Sequence, residues 1–172
     1  MRIIAGKWRG RPIKAPPGQA TRPTGDRTRE ALFSMLASRI GSFEGLRMAD
    51  LFAGTGALGL EALSRGAAHC TFVESDRTAL EALKANIATL GADATIRAAA
   101  AEHFTGGPFD VVLLDPPYGT GLGQRALAGL TLAPGGWASL ETGKAETVAV
   151  EGFIVEAERI HGKAKITLLR KQ

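Results

Sequence analysis

A carboxylate, two prolines and an aromatic ring stand in a row at Asp115-Pro116-Pro117-Tyr118, directly after the apolar run Phe109-Asp110-Val111-Val112-Leu113-Leu114. The run reads as a strand. A Pro-Pro pair makes the chain leave it along an extended path, because each ring fixes φ and the residue before a proline avoids the α region. Backbone carbonyls beside Asp115 then stay unpaired. This set suits a planar group bearing an amino nitrogen: Asp115 accepts one hydrogen, a proline carbonyl accepts the other, and the Tyr118 ring covers the face of the heterocycle. The same four residues also read as a strand followed by an ordinary proline turn, so a second motif must decide between the two.

That second motif is Asp50-Leu51-Phe52-Ala53-Gly54-Thr55-Gly56-Ala57-Leu58-Gly59, between a short apolar run and a helical pattern. Glycines allow a tight turn and close approach to a ligand, and the following helix presents unpaired N–H groups. Dinucleotides, phosphates and S-adenosylmethionine all use such loops. The spacing lacks the Lys-Ser/Thr of a phosphate-binding loop, whereas Gly54-x-Gly56-x-x-Gly59 also passes for a dinucleotide fingerprint. Glu74 ends the next apolar run about 20 residues after Gly54, where an acid accepts from both hydroxyls of a ribose. Its alternative is a solvated strand-end acid. Asp50, just before the loop, is placed to meet the cationic amino-acid part of S-adenosylmethionine, which a dinucleotide lacks.

Positioning these groups requires alternating elements. Strands are expected at 47–52, 70–74, 94–98, 109–114 and 136–141, with helices near 57–65, 77–90 and 121–131. This alternation predicts an α/β fold with a mostly parallel sheet and helices on both faces. The runs Thr147 to Val155 and Lys165 to Leu169 have no helix between them and predict an antiparallel pair at the sheet's end. If strand order reverses after the first strand, strands one and four are neighbours, and the glycine loop and Asp115 share one crevice.

The 172 residues, 45% hydrophobic and 22% charged, suit one ordinary domain with a small appendage. No charged-then-apolar leader opens the chain, and no apolar run approaches the ~20 residues of a membrane span, so a cytoplasmic protein without membrane or metal is expected. The lone Cys70 lies in an apolar run and reads as a buried small hydrophobe. Charge is uneven. Residues 1–29 hold eight basic residues (Arg2, Lys7, Arg9, Arg11, Lys14, Arg22, Arg27 and Arg29) against Asp26, a net +7, while the whole chain carries +4. With Trp8 interleaved, this block reads as a footprint for a polyanion rather than a solvated tail. Met1 to Ala15 is expected to form a two-stranded ribbon, residues 16–26 a loop, and Arg27 to Ile40 a helix with Asp26 as N-cap. Residues 1–40 are thus expected to be a basic extension that meets a polyanion, and 41–172 the main domain.

Together these residues resemble the class I, Rossmann-like S-adenosylmethionine-dependent methyltransferases that act on exocyclic amino groups. Closer still is the RsmD family, bacterial enzymes that methylate the N2 of a guanine in 16S ribosomal RNA. The resemblance spans nearly the whole chain: Arg2-Ile3-Ile4-Ala5-Gly6-Lys7-Trp8-Arg9-Gly10-Arg11, Arg22-Pro23-Thr24, Arg29-Glu30-Ala31-Leu32-Phe33, the block Asp50 to Ala67, and Asp115 to Tyr118. It implies a seven-stranded sheet with the last strand inserted antiparallel, and ribosomal RNA in an assembling small subunit as partner. It also implies that Asp50, Phe52, Ala53, Gly54, Thr55 and Gly56 hold the methionine part, that Glu74 with Ser75 holds the ribose, and that Asp115, Pro116, Pro117 and Tyr118 hold the guanine. The RNA contacts would be Arg2, Lys7, Trp8, Arg9, Arg11, Arg22, Arg27 and Arg29. Two positions depart from the pattern. Arg97-Ala98-Ala99-Ala100-Ala101 lacks the Asp or Asn that relatives place near the adenine, and His161-Gly162-Lys163 replaces a common Tyr-Gly.

Other readings compete. Adenine-N6 methylation of RNA or DNA and glutamine methylation of protein use the same clamp geometry. A non-catalytic RNA-binding assembly protein would leave Asp115, Tyr118, Glu74 and the glycines without a use, and a nicotinamide oxidoreductase leaves the Pro-Pro clamp without one.

Overall fold

The computed structural model describes residues 1–17 and 23–172. Helix α1 (Pro23–Ile40) precedes a repeating unit of β1 (Arg47–Leu51), α2 (Ala57–Ser64), β2 (His69–Glu74), α3 (Arg77–Leu90), β3 (Ala94–Ala98), β4 (Phe109–Leu114), α4 (Leu122–Ala128) and β5 (Leu132–Gly143). A closing hairpin follows, β6 (Phe153–His161) and β7 (Ala164–Lys171). The sheet order is β3-β2-β1-β4-β5-β7-β6, parallel through β5, with β7 inserted antiparallel beside it. This is the class I methyltransferase topology. β4 is buried along almost its whole length, which is why its sequence is a continuous apolar run rather than an alternation.

β5 extends four residues earlier than expected and α4 is shorter, and three further differences concern the N-terminal segment and the closing hairpin. The ribbon expected over Met1 to Ala15 contains a single bridge, Arg2 opposite Pro12, held by backbone bonds such as Ile3 N–H to the Arg11 carbonyl at 2.9 Å; a proline partner has no N–H to extend it. Helix α1 begins at Pro23, not Arg27, since a proline in the first helical position forfeits only a donor that would be unpaired anyway. Asp26 therefore lies within the first turn, 3.3 Å from Arg29, and is not the cap. The first strand of the hairpin runs over 153–161 instead of 147–155. Val148 and Val150 are apolar because they pack on the core from a loop, and Gly152, at φ 82°, turns the chain into the strand.

The N-terminal segment is fastened to the sheet's helical layer. Ile3, Ile13, Leu32, Phe33 and Leu36 share one buried core with Met48, Leu60 and Phe72. Glu61, fully buried in α2, accepts the N–H groups of Ile4 at 2.9 Å and Ala5 at 3.0 Å. Ser64 takes the N–H of Trp8 on its hydroxyl at 3.0 Å and that of Lys7 on its carbonyl at 2.9 Å. The chain lies so close here that a Cβ on Gly6 would sit 1.9 Å from the Ser64 carbonyl oxygen. Asn86 of α3 completes the attachment: its amide pairs with both backbone groups of Lys14 and also donates to the Thr55 carbonyl in the glycine loop, each bond at 3.0 Å.

Candidate active site

The parallel register places Leu51 of β1 beside Leu114 of β4 and Val73 of β2, so the three strands end together and the loops after them meet. A cleft of about 810 Å³ opens there, within the usual range for a small-molecule site. From β1 it is lined by Phe52, from β2 by Glu74 and Ser75, from β4 by Asp115, Pro116, Pro117 and Tyr118. Phe52 from the glycine-loop motif, Glu74 and the Asp115 to Tyr118 motif thus open on one cavity. Asp50, Ala53, Gly54, Thr55 and Gly56 are not among the residues that line it; they form a shell of chain on either side of Phe52.

That shell is built for shape. Phe52 has φ 62°, a strained value for a residue with a side chain, and it faces the cavity. Gly59 lets α2 pack down on β2, because a Cβ there would meet the Phe72 ring at 2.3 Å. Asp50, 1% exposed, accepts the Gly59 N–H at 2.8 Å, and its other oxygen has no partner. Burial pushes its carboxyl well above the ordinary range; the Gly59 bond opposes this, and the charges of Asp115 and Glu74 add to it. Burial likewise raises Glu74, against hydrogen bonds from the Ser75, Asp76 and Gly54 N–H groups. The Glu74 carboxylate therefore ties the β2 end to the glycine loop. Cys70 is fully buried, which raises its thiol and leaves it inert.

The raised Asp50 has a measurable consequence. A carboxyl that keeps its proton longer in the fold than in the unfolded chain adds stability below the ordinary Asp range, and that stability is lost as pH rises toward its folded pKa. Denaturant titrations should show the wild type losing unfolding free energy relative to Asp50→Asn as pH climbs from about 4. Parallel pH profiles for the two proteins would show that burial of Asp50 carries no penalty.

At the clamp, Pro116 is buried under α4, where Gly123 leaves room for it: a Cβ there would lie 2.8 Å from the proline ring. The Pro117 carbonyl is taken by the Thr120 hydroxyl at 2.8 Å. Tyr118 is 47% exposed, and its hydroxyl donates to Glu141 at 2.5 Å. Glu141, near the end of β5, also lines the cleft, as do Ala99, Ala100, Ala101 and Glu102 beyond β3. Sequence reasoning passed over Glu141, although the rule that singled out Glu74 and Asp115, an acid where a strand ends, applies equally to it. An acid is also present beyond β3, at Glu102, past the alanine run. His161 ends β6 at the hairpin turn, away from the residues lining the cleft.

Of the basic residues, Arg2, Lys7, Arg9, Arg11 and Arg27 are exposed, and the Lys7 ammonium lies 4.5 Å from the centre of the half-buried Trp8 ring. Arg22 lies outside the described residues. Arg29 does not belong with the exposed set: it is 4% exposed, donating to the Arg2 carbonyl at 2.6 Å and lying 3.9 Å from Glu61. It braces the segment from inside and cannot meet a polyanion.

Residues 1–170 match the family described as conserved hypothetical protein 95. The chain is 44% identical over 141 residues to ribosomal RNA small subunit methyltransferase D of Escherichia coli, spanning 80% of this chain and 69% of that protein. The Haemophilus influenzae protein of the same name is 43% identical over 136 residues, spanning 74% and 69%. The solved structure of the yhhF protein of Escherichia coli superposes with a TM-score of 0.87 at 35% identity, covering 100% of this chain and 98% of that one.

Proposed function

We infer the activity from membership: the chain belongs to the conserved hypothetical protein 95 family, the RsmD family of small-subunit ribosomal RNA methyltransferases. We propose that it transfers a methyl group from S-adenosylmethionine to the exocyclic N2 of a guanine in 16S ribosomal RNA. The observation carrying this reading is the single cleft onto which Glu74, Phe52 and the Asp115 to Tyr118 clamp all open. Glu74, held by the Gly54 loop, suits a ribose, and the strained Phe52 wall beside the alanines suits an adenine. The buried, half-satisfied Asp50 shapes the loop for the amino-acid end.

The donor supplies a methyl carbon already activated by its sulfonium, so the chain's task is alignment. A guanine N2 lone pair is delocalised into the ring. Asp115 and the Pro116 carbonyl accept the two amino hydrogens and draw that pair out of the ring plane toward the methyl. As the nitrogen–carbon bond forms, the carbon–sulfur bond breaks, and the nitrogen's extra proton leaves through Asp115 or water. The Tyr118 ring supports the base by stacking.

Residues 1–40 act in this reading as the RNA-binding extension of a catalytic domain over 41–172. Lys7, Arg9 and Arg11 supply phosphate contacts from a segment already fixed in place, and assembling subunits in the cytoplasm supply the substrate. Labelled methyl transfer into small-subunit particles and naked 16S RNA, with the modified base mapped, tests the reading. Incorporation at one guanine N2 is expected. It should weaken steeply with salt, and replacing Lys7, Arg9 and Arg11 by alanine should lower the log–log salt slope by about 2. Methyl found on adenine, on DNA or on protein instead would overturn it.

A further inference from the structure

Glu141 stands in the cleft with no role in the reaction described so far. It lines the same cavity as Asp115, Pro116 and Tyr118, entering from the neighbouring strand, since β4 and β5 pair side by side with Leu114 opposite Leu140. The Tyr118 hydroxyl donates to one oxygen of Glu141 at 2.5 Å. A carboxylate has a second oxygen and can accept several hydrogen bonds at once. Two acids, Asp115 and Glu141, therefore line the cleft beside Tyr118, whereas holding an amino group requires only Asp115 and a carbonyl.

The hydrogen-bonding patterns of the bases show what a second acid can do. Guanine carries two donors side by side, the N2 amino group and N1–H. Adenine carries its amino group beside an N1 lone pair. A carboxylate facing N1 accepts a hydrogen bond from guanine and repels the lone pair of adenine, and a site whose buried polar groups go unpaired rejects the wrong ligand strongly. Resting on the guanine-N2 reading above, we propose that Glu141 determines base specificity by accepting guanine N1–H, with the Tyr118 hydroxyl holding it in register. The hydroxyl bond then has a purpose beyond restraining the ring: it fixes the reading carboxylate relative to the stacked base.

The discriminating probe is 2-aminopurine, which keeps the amino group on C2 but has a lone pair at N1. Small-subunit RNA carrying guanine or 2-aminopurine at the mapped position, ligated from synthetic and transcribed pieces and assembled into particles, is assayed for kcat/KM with wild type, Glu141→Gln and Tyr118→Phe. A glutamine amide can face either pattern, so Glu141→Gln should narrow the preference for guanine by about 10-fold or more. Tyr118→Phe keeps ring and carboxylate but removes the bond that holds the carboxylate in register, so it should narrow the preference too, by a smaller factor than Glu141→Gln. If Glu141 only braces Tyr118, both variants will slow the two substrates equally with the preference intact, and the proposal falls while the guanine-N2 reading stands. A wild-type enzyme that methylates no guanine overturns the two together.

Discussion

Asp115→Ala is expected to lose methyl transfer by at least about 100-fold, the usual cost of removing one preorganised group that acts on charge developing in the transition state. Affinity for S-adenosylmethionine should stay within a few-fold of wild type. The separation follows from position: Asp115 ends β4, whereas the groups suited to the donor come from β1, β2 and the chain beyond β3. Asp115 is exposed, so its truncation opens no cavity in the core and should not unfold the domain. Asp115→Asn separates two functions within the one residue. The amide oxygen still accepts an amino hydrogen, but the charge that favours a positive nitrogen is gone, so an intermediate loss is expected. Single-turnover rates beside calorimetric cofactor binding decide the matter. Near-normal turnover in Asp115→Ala would sink the clamp mechanism, and a matching collapse of cofactor affinity would relocate Asp115 to the donor site.

Much of this site was legible because its residues sit where strands end, and strand ends follow from apolar runs. The runs over 109–114 and 70–74 located Asp115 and Glu74 to the residue, and the order reversal at β1 set their strands on either side of it. What stayed hidden depends on contacts between distant parts of the chain. Glu61 meets Ile4, Asn86 meets Lys14, and Glu141 meets Tyr118, separations of 57, 72 and 23 residues that leave no local period. Arg29 illustrates the same limit from the other side. Charge counting groups it with Lys7 and Arg9, and only the fold shows that it faces inward. A glutamate inside the otherwise apolar stretch Ala57 to Ser64 was nonetheless a readable anomaly, because a buried acid requires a partner.

The largest expected effect on stability comes from that anomaly. Glu61→Ala should cost about 3–5 kcal/mol, the range for breaking a buried ion pair by removing one member. Three groups lose their acceptor at once: the Ile4 and Ala5 N–H groups and the Arg65 guanidinium, which donates at 3.0 Å. Arg29, already held below the usual guanidinium range by burial, would keep Asp26, partly exposed, as its acidic partner among the described residues. For a domain of this size the loss corresponds to a melting temperature lower by roughly 10–15 °C. Glu61→Gln should recover little, because its single carbonyl oxygen cannot serve both backbone donors and its amino hydrogens would face Arg65. Local release should come before global melting, since residues 1–11 reach α2 largely through Glu61 and Ser64. Trypsin should therefore cut at Lys7 and Arg9 in the variant at temperatures where wild type resists, Arg11 being shielded by the proline after it. A variant that melts within 2 °C of wild type and resists trypsin equally would show that the apolar contacts of Ile3 and Ile13 anchor the segment alone. The position of Glu61 gives this anchor a bearing on function. The helix that receives the N-terminal segment at Glu61 and Ser64 is capped by Gly56 of the glycine loop, so in the proposed reading one element sets the distance between the RNA contacts and the methyl donor.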